Sequence, residues 1–283
     1  MASFRALILT GLAMAAFAGN SLLGRAALRD TDIDAGSFTS IRLIAGALVL
    51  WLLVAWRSGY RTGLAYGSWG SALALFAYAA AFSYAYDGLP TATGALLLFG
   101  AVQATMIAIG IVRGERPRPM QWLGFLVAFA GLVALLLPGL SAPPLGSAVL
   151  MLVAGVAWGW YSLQARGVSN PTAVTAGNFI RSVPMTVALS AAMLASARLD
   201  AAGSVYALAS GALTSALGYA IWYQAIPLLQ PTVTATVQLS VPVIAAVGGV
   251  LLLDEPLTLR LIVAGSAILG GIAVVILERR QSG

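Results

Sequence analysis

The chain predicts an all-α membrane protein of ten transmembrane helices, arranged as two inverted five-helix repeats. Composition is the first observation behind this. Of 283 residues, 60% are hydrophobic and only 8% charged, whereas soluble domains run about 25% charged and about 45–50% apolar. A mean hydropathy of +0.93 leaves too little polar surface to cover one soluble core. The second observation is that the apolar residues fall into ten runs of membrane-spanning length. The third is that the chain matches itself at an offset near 141.

A spanning helix needs about 20 apolar residues, because about 30 Å of hydrocarbon divides by a 1.5 Å rise. Cutting at charges, prolines and Gly/Ser clusters places the first five spans at Ala6–Leu23, Ala35–Trp56, Ser68–Tyr86, Ala92–Val112 and Met120–Leu137. The second five are Leu145–Gln164, Thr172–Ala195, Gly203–Ile226, Thr232–Leu253 and Leu257–Leu277. Connections are short, so neither face carries a soluble domain. With a cytoplasmic N-terminus, nine arginines fall in inner loops (Arg5, Arg57, Arg61, Arg113, Arg116, Arg118, Arg166, Arg279, Arg280). Four fall outside (Arg25, Arg29, Arg198, Arg260), so the positive-inside rule puts both termini in the cytoplasm. The N-terminal run is read as a span and not as a signal peptide, since cleavage would leave nine spans and break the repeat.

The repeat divides the chain into residues 1–140 and 141–283. Residues 16–25 align with 157–166, Tyr78 with Tyr219, and Pro90-Thr91 and Thr93 with Pro231-Thr232 and Thr234. Ile41-Arg42 aligns with Ile180-Arg181, and Glu115 and Gly131 with Glu255 and Gly271. Five spans per half is an odd number, so the second half enters the bilayer upside down. Arg25 thus ends span one on the outer side and Arg166 ends span six on the inner side. Inverted repeats are typical of secondary transporters, whose halves exchange conformations around a midplane site.

Absent chemistry narrows the function. All nine acids (Asp30, Asp32, Asp34, Asp87, Glu115, Asp200, Asp254, Glu255, Glu278) lie in loops or at span ends, and histidine and cysteine are missing. Mid-membrane ionisable groups usually mark proton relays or counter-ions, so a buried-carboxylate antiporter is disfavoured. No catalytic set of acids, Ser/His/Asp or metal ligands can be assembled. The chain is therefore read as no enzyme, with no cofactor and no metal. Every basic residue is arginine and they are scattered, unlike the patches of nucleic-acid binders. The expected partners are the lipid bilayer and a small-molecule substrate.

Aromatic and neutral-polar groups remain inside the spans, and these suit an amphipathic solute. The candidate substrate-binding residues are Asn20, Tyr78, Phe82, Phe99, Trp158, Tyr161, Tyr219, Trp222 and Gln238. Tyr78 and Phe82 are four apart and Trp158 and Tyr161 three apart, so each pair shares a helix face. Gln103, Asn178 and Ser240 add polar groups. For Asn20 an interhelical hydrogen bond is an equal alternative. Trp51, Trp56, Tyr60, Tyr66, Trp69 and Trp122 fit interfacial belts, and Tyr84 and Tyr86 near a span end fit there too. Arg42 and Arg181, inside spans two and seven, are read as snorkelling or tied to a neighbouring helix; capture of a substrate carboxylate is the alternative. Pro184 and Pro242 are candidate hinges, because each removes a backbone hydrogen bond inside a span. Gly124 with Gly131, and Gly265 with Gly270 and Gly271, suit close helix packing or a dimer contact.

These residues resemble a family. Phe17-Ala18-Gly19-Asn20-Ser21 and Ala157-Trp158-Gly159-Trp160-Tyr161, with Ile41-Arg42, Ile180-Arg181, Gly114-Glu115 and Asp254-Glu255-Pro256, are similar to the motifs of the drug/metabolite transporter superfamily. The type is the one with two tandem EamA-like halves. The resemblance covers essentially the whole chain and is strongest to the YddG-like aromatic amino-acid exporters. It implies a ten-helix basket around a central cavity, lined at the positions of Tyr78, Trp158 and Gln238, and amino-acid efflux from a bacterial inner membrane. Phe17 departs from the family's first-half tryptophan. Gly100-Ala101 replaces a tryptophan–proline pair, which is expected to enlarge the cavity. The reading is an alternating-access exporter of aromatic or neutral amino acids and related metabolites. Its rivals are a broader drug or nucleobase exporter on the same fold and a non-transporting membrane scaffold.

Overall fold

The computed structural model describes residues 4–58, 65–114, 117–137, 142–164, 168–229 and 237–279. Within them the chain forms ten principal helical segments, with a short 3-10 turn at Leu194–Ser196 between the seventh and eighth. They are α1 (Phe4–Asp30), α2 (Ala35–Ser58), α3 (Trp69–Gly88), α4 (Thr91–Val112) and α5 (Pro119–Leu136). The second five are α6 (Leu145–Gln164), α7 (Pro171–Ala192), α8 (from Ala201 through Leu228), α9 (Ser240–Leu253) and α10 (Leu259–Arg279). Among the described residues there is no strand. The repeat positions Glu115, Arg166, Pro231, Thr232 and Thr234 lie outside the described residues.

Local chemistry sets the ends. The Ser68 hydroxyl accepts the Ser71 N–H at 3.2 Å and starts α3. Asn170 does the same for α7, with Pro171 in the first turn, and Asp200 for α8. Such caps satisfy the orphan N–H groups of a first turn. Asp254, at φ 51° and ψ 32°, turns the chain out of α9 in left-handed conformation. Helix α1 runs seven residues past the predicted span, to Asp30, because Arg25 and Arg29 anchor its last two turns to neighbouring backbone carbonyls.

Seven segments are long and apolar enough to cross a membrane by length and composition: α1, α2, α4, α5, α6, α8 and α10. Helices α3 and α7 are 20 and 22 residues long but less apolar, α3 through its tyrosines and serines and α7 through its threonines, serines, Asn178 and Arg181, and α9 is a shorter apolar helix of 14 residues. The principal packing pairs are α5–α10, α3–α6, α2–α7, α4–α6, α2–α8, α1–α9, α1–α8, α4–α9 and α3–α7. Adding five to every label, cyclically, returns the same set of pairs. The α5–α10 contact is closest at glycines: a Cβ on Gly124 would lie 2.6 Å from the Gly271 carbonyl, and one on Gly271 2.4 Å from that of Gly124. Gly124, Gly131 and Gly271 are thus used within one chain, as small-residue interfaces use them, whereas a Cβ on Gly270 meets no atom within 4 Å.

Polarity runs inside out. Large apolar side chains such as Leu126, Phe129, Leu251, Leu252 and Val263 face outward. Asn20, Thr39, Arg42, Thr175, Asn178, Ser182, Ser210 and Ser215 are buried. A lipid-facing exterior allows this, since apolar tails solvate the outside and polar groups must find partners within.

Candidate functional site

A chain of aromatic rings crosses the interior. Phe82 meets Tyr86 at 4.7 Å between ring centroids and Tyr78 at 5.6 Å. Tyr78 reaches Trp158 at 4.8 Å, and Trp158 reaches Tyr219 at 5.0 Å and Tyr161 at 5.3 Å. Tyr219 continues to Phe17 at 5.8 Å and Phe179 at 6.0 Å, and Phe17 to Trp222 at 5.9 Å. These spacings are those of favourable tilted and edge-on ring pairs. The rings come from α1, α3, α6, α7 and α8, hence from both halves of the chain.

Arg42 stands beside the Phe82–Tyr78 stretch of this chain and is 1% exposed. Its guanidinium carbon lies 4.6 Å from the Phe82 ring centroid and 5.2 Å from that of Tyr78. Its Nη2 donates to the Tyr78 hydroxyl at 3.0 Å and its Nε to Ser215 Oγ at 3.3 Å. Burial at this depth rules out the expected snorkelling; the side chain is held inside by α3 and α8. Gly211 allows the approach, because a Cβ there would lie 2.1 Å from the Arg42 carbonyl oxygen.

The network extends to α1. Asn20 Oδ1 accepts from Ser210 Oγ at 2.9 Å, Thr214 Oγ1 at 2.6 Å and Ser215 Oγ at 3.3 Å. Thr214 Oγ1 also lies 2.9 Å from the Ser210 carbonyl, so its one proton serves either acceptor. Residues 210–217 of α8 form a π-helical stretch, a wider turn that recurs at functional sites. Asn20 is therefore an interhelical hydrogen-bond acceptor in this structure.

The ring chain brings together Tyr78, Phe82, Trp158, Tyr161, Tyr219 and Trp222. Phe99 is buried on α4 but stands outside it, and Gln238 lies in the turn before α9. Pro184 is inside α7. Pro242 sits in the first turn of α9 as described, where a missing N–H leaves no ladder gap. Asn178 accepts the Ser68 N–H at 2.9 Å, and Arg181 donates to the Tyr66 carbonyl and, at 3.1 Å, to that of Gly177. Arg181 is thus a tie between α7 and the segment before α3. Tyr86, expected at the interface, is instead fully buried, in a slot that a Cβ on Gly94 would fill at 2.4 Å from its ring. Gly100 does not open the ring region; it lines an apolar groove of about 380 Å³ between α4, α5 and α10.

At one end of the bundle Glu255, 8% exposed, accepts the Thr91 N–H at 2.8 and 3.0 Å and pairs with Arg25 at 3.3 Å. This ties α9 to the ends of α1 and α4. In the α1–α2 connection, burial pushes the Asp34 carboxyl up. Hydrogen bonds from Ser37, Arg198 and Gly36 outweigh that and hold it below the usual carboxylate range. Among the described residues no cluster of three or more His, Cys, Asp or Glu could hold a metal ion. Sequence reasoning missed Phe17, Phe179, Ser210, Thr214 and Ser215 as members of the site. The 210/214/215 spacing, one face of span eight, was the available signal.

Known proteins give this geometry a family. The sequence pattern of the EamA-like transporter family matches residues 4–137 and again 145–277. An uncharacterized protein of Pseudomonas aeruginosa is 58% identical over 275 residues, covering 97% of this chain and 96% of its own. An uncharacterized transporter of Archaeoglobus fulgidus is 27% identical over 179 residues, 62% of this chain and 63% of its own. A protein of known crystal structure shares the fold at TM-score 0.67 and 19% identity, over 97% of this chain and 98% of that one. With two matched stretches that span nearly its whole length, this multi-pass membrane protein, a transporter and not an enzyme, belongs to the EamA-like transporter family of the drug/metabolite transporter superfamily.

Proposed function

We propose that the protein exports aromatic and other neutral amino acids, with related small metabolites, across the bacterial inner membrane by alternating access. The reading rests chiefly on the interior ring chain Phe82–Tyr78–Trp158–Tyr219–Phe17, which joins helices of both halves around one buried cation. Ring faces bind an aromatic side chain or an ammonium without fixing it tightly, and transport needs such reversible binding. The helix contacts support two inverted repeats of residues 1–140 and 141–283, since the principal pairs are unchanged when each helix is exchanged for its counterpart five later. Halves related in this way can exchange roles between outward- and inward-open states. Tyr78 and Trp158 are in ring contact at 4.8 Å, and in this reading they part to let substrate pass. Nine inner-loop arginines against four outer ones support cytoplasmic termini.

Efflux from cells loaded with an aromatic amino acid through a dipeptide tests the reading. Expression of the protein raises the initial efflux rate saturably, and Tyr78→Ala or Trp158→Ala returns it to background. An unchanged rate with the protein present in the membrane contradicts the proposal.

A further inference from the structure

Arg42 is the one buried basic side chain among the described residues. Two of its nitrogens are engaged by Tyr78 and Ser215, while Nη1 is buried with no hydrogen-bond partner. The ion pairs among the described residues, Arg25–Glu255, Arg29–Asp30 and Arg118–Glu278, leave Arg42 out. Its repeat counterpart Arg181 donates to the backbone carbonyls of Tyr66 and Gly177. The Phe82 and Tyr78 ring faces attract the guanidinium, but offer its free N–H no oxygen acceptor. A buried donor without an acceptor is rare in native proteins and calls for an explanation. A desolvated guanidinium with a free N–H is complementary to a carboxylate, for which arginine's planar fork is shaped.

We infer that Arg42 is the carboxylate-binding group of the transport site, with Nη1 donating to the substrate. The Trp158 and Tyr219 rings, reached through Tyr78, receive the ammonium or aromatic end. The Ser215 hydroxyl, which accepts from Arg42 Nε and donates to Asn20 Oδ1, positions the guanidinium from α8. This inference rests on the amino-acid reading above and adds the part of the molecule that is recognised.

The test is counterflow of labelled phenylalanine into liposomes holding the purified protein. The competitors are unlabelled phenylalanine, 3-phenylpropionate, which lacks the ammonium, and 2-phenylethylamine, which lacks the carboxylate. The amine competes about tenfold or more weakly than phenylalanine, while 3-phenylpropionate retains measurable competition. Arg42→Gln brings the phenylalanine-to-amine ratio towards one, and Arg42→Lys, which keeps the charge, preserves part of it. A merely structural arginine would change the amount of folded protein but not this ratio. An amine that competes as well as phenylalanine on the wild-type protein overturns the assignment, whether or not the variants fold. A wild-type ratio in Arg42→Gln also overturns it. If the wild-type protein takes up no labelled phenylalanine, the amino-acid reading itself falls and this inference with it.

Discussion

Replacing Gly211 with alanine tests how α8 meets α2 beside Arg42. The added Cβ would lie 2.1 Å from the Arg42 carbonyl oxygen, 2.9 Å from its carbonyl carbon and 3.0 Å from Ala45 Cβ. Favourable contact begins near about 3.5 Å, so the helices must separate by roughly 1 Å or more. The Arg42 Nε–Ser215 bond, at 3.3 Å, then passes out of hydrogen-bond range. Overpacking costs about 1–3 kcal/mol, and loss of that bond adds about 1 kcal/mol. Thermal unfolding of the purified protein in detergent, followed by near-ultraviolet circular dichroism, measures the change. Gly270→Ala is the control, because a Cβ there meets no atom within 4 Å. Gly211→Ala lowers the midpoint by several degrees and Gly270→Ala leaves it unchanged or raises it. Equal midpoints for wild type and Gly211→Ala would refute the close α2–α8 approach.

Other perturbations probe separate parts of the structure. Glu255→Ala removes the acceptor shared by Thr91 N–H and Arg25 and destabilises by about 2 kcal/mol in the same melt; Glu255→Gln recovers part of it. Asn20→Leu leaves the Ser210 and Ser215 hydroxyls without their acceptor and costs about 1–2 kcal/mol, measured as a fall in unfolding midpoint. Asp34 is held below its ordinary range when folded, so its stabilisation is full above the unfolded carboxylate pKa and fades as pH falls through the folded one. The midpoint difference between wild type and Asp34→Asn therefore shrinks as pH is lowered from 7 into the acid range, and a constant difference contradicts the hydrogen-bonded carboxylate.

Helix positions were legible because a membrane span is a length of apolar sequence bounded by charge, proline or glycine, and all ten predicted runs overlap helical segments. The extension of α1 to Asp30 was not, since anchoring of Arg25 and Arg29 on other helices depends on tertiary contact. Tyr78, Trp158 and Tyr219 were legible as interior aromatics from their depth in the spans. Tyr86 was misjudged: a tyrosine at a span end reads as interfacial, and only the Gly94 slot shows otherwise. The burial of Arg42 was equally hidden. It depends on the glycine contact at 211 and on a π-turn that presents Ser210, Thr214 and Ser215 to Asn20, features that depend on three-dimensional contact. Gly100 read as a gap in the cavity, whereas helix rotation turns it towards α10, where Ile268 lies 3.6 Å from its would-be Cβ.

The most direct measurement of the central claim is counterflow of labelled aromatic and neutral amino acids into liposomes containing only this protein, with no ion gradient imposed. The account predicts saturable uptake that falls to background in Tyr78→Ala and Trp158→Ala variants that retain their fold. Folded wild-type protein that moves none of these amino acids would contradict it.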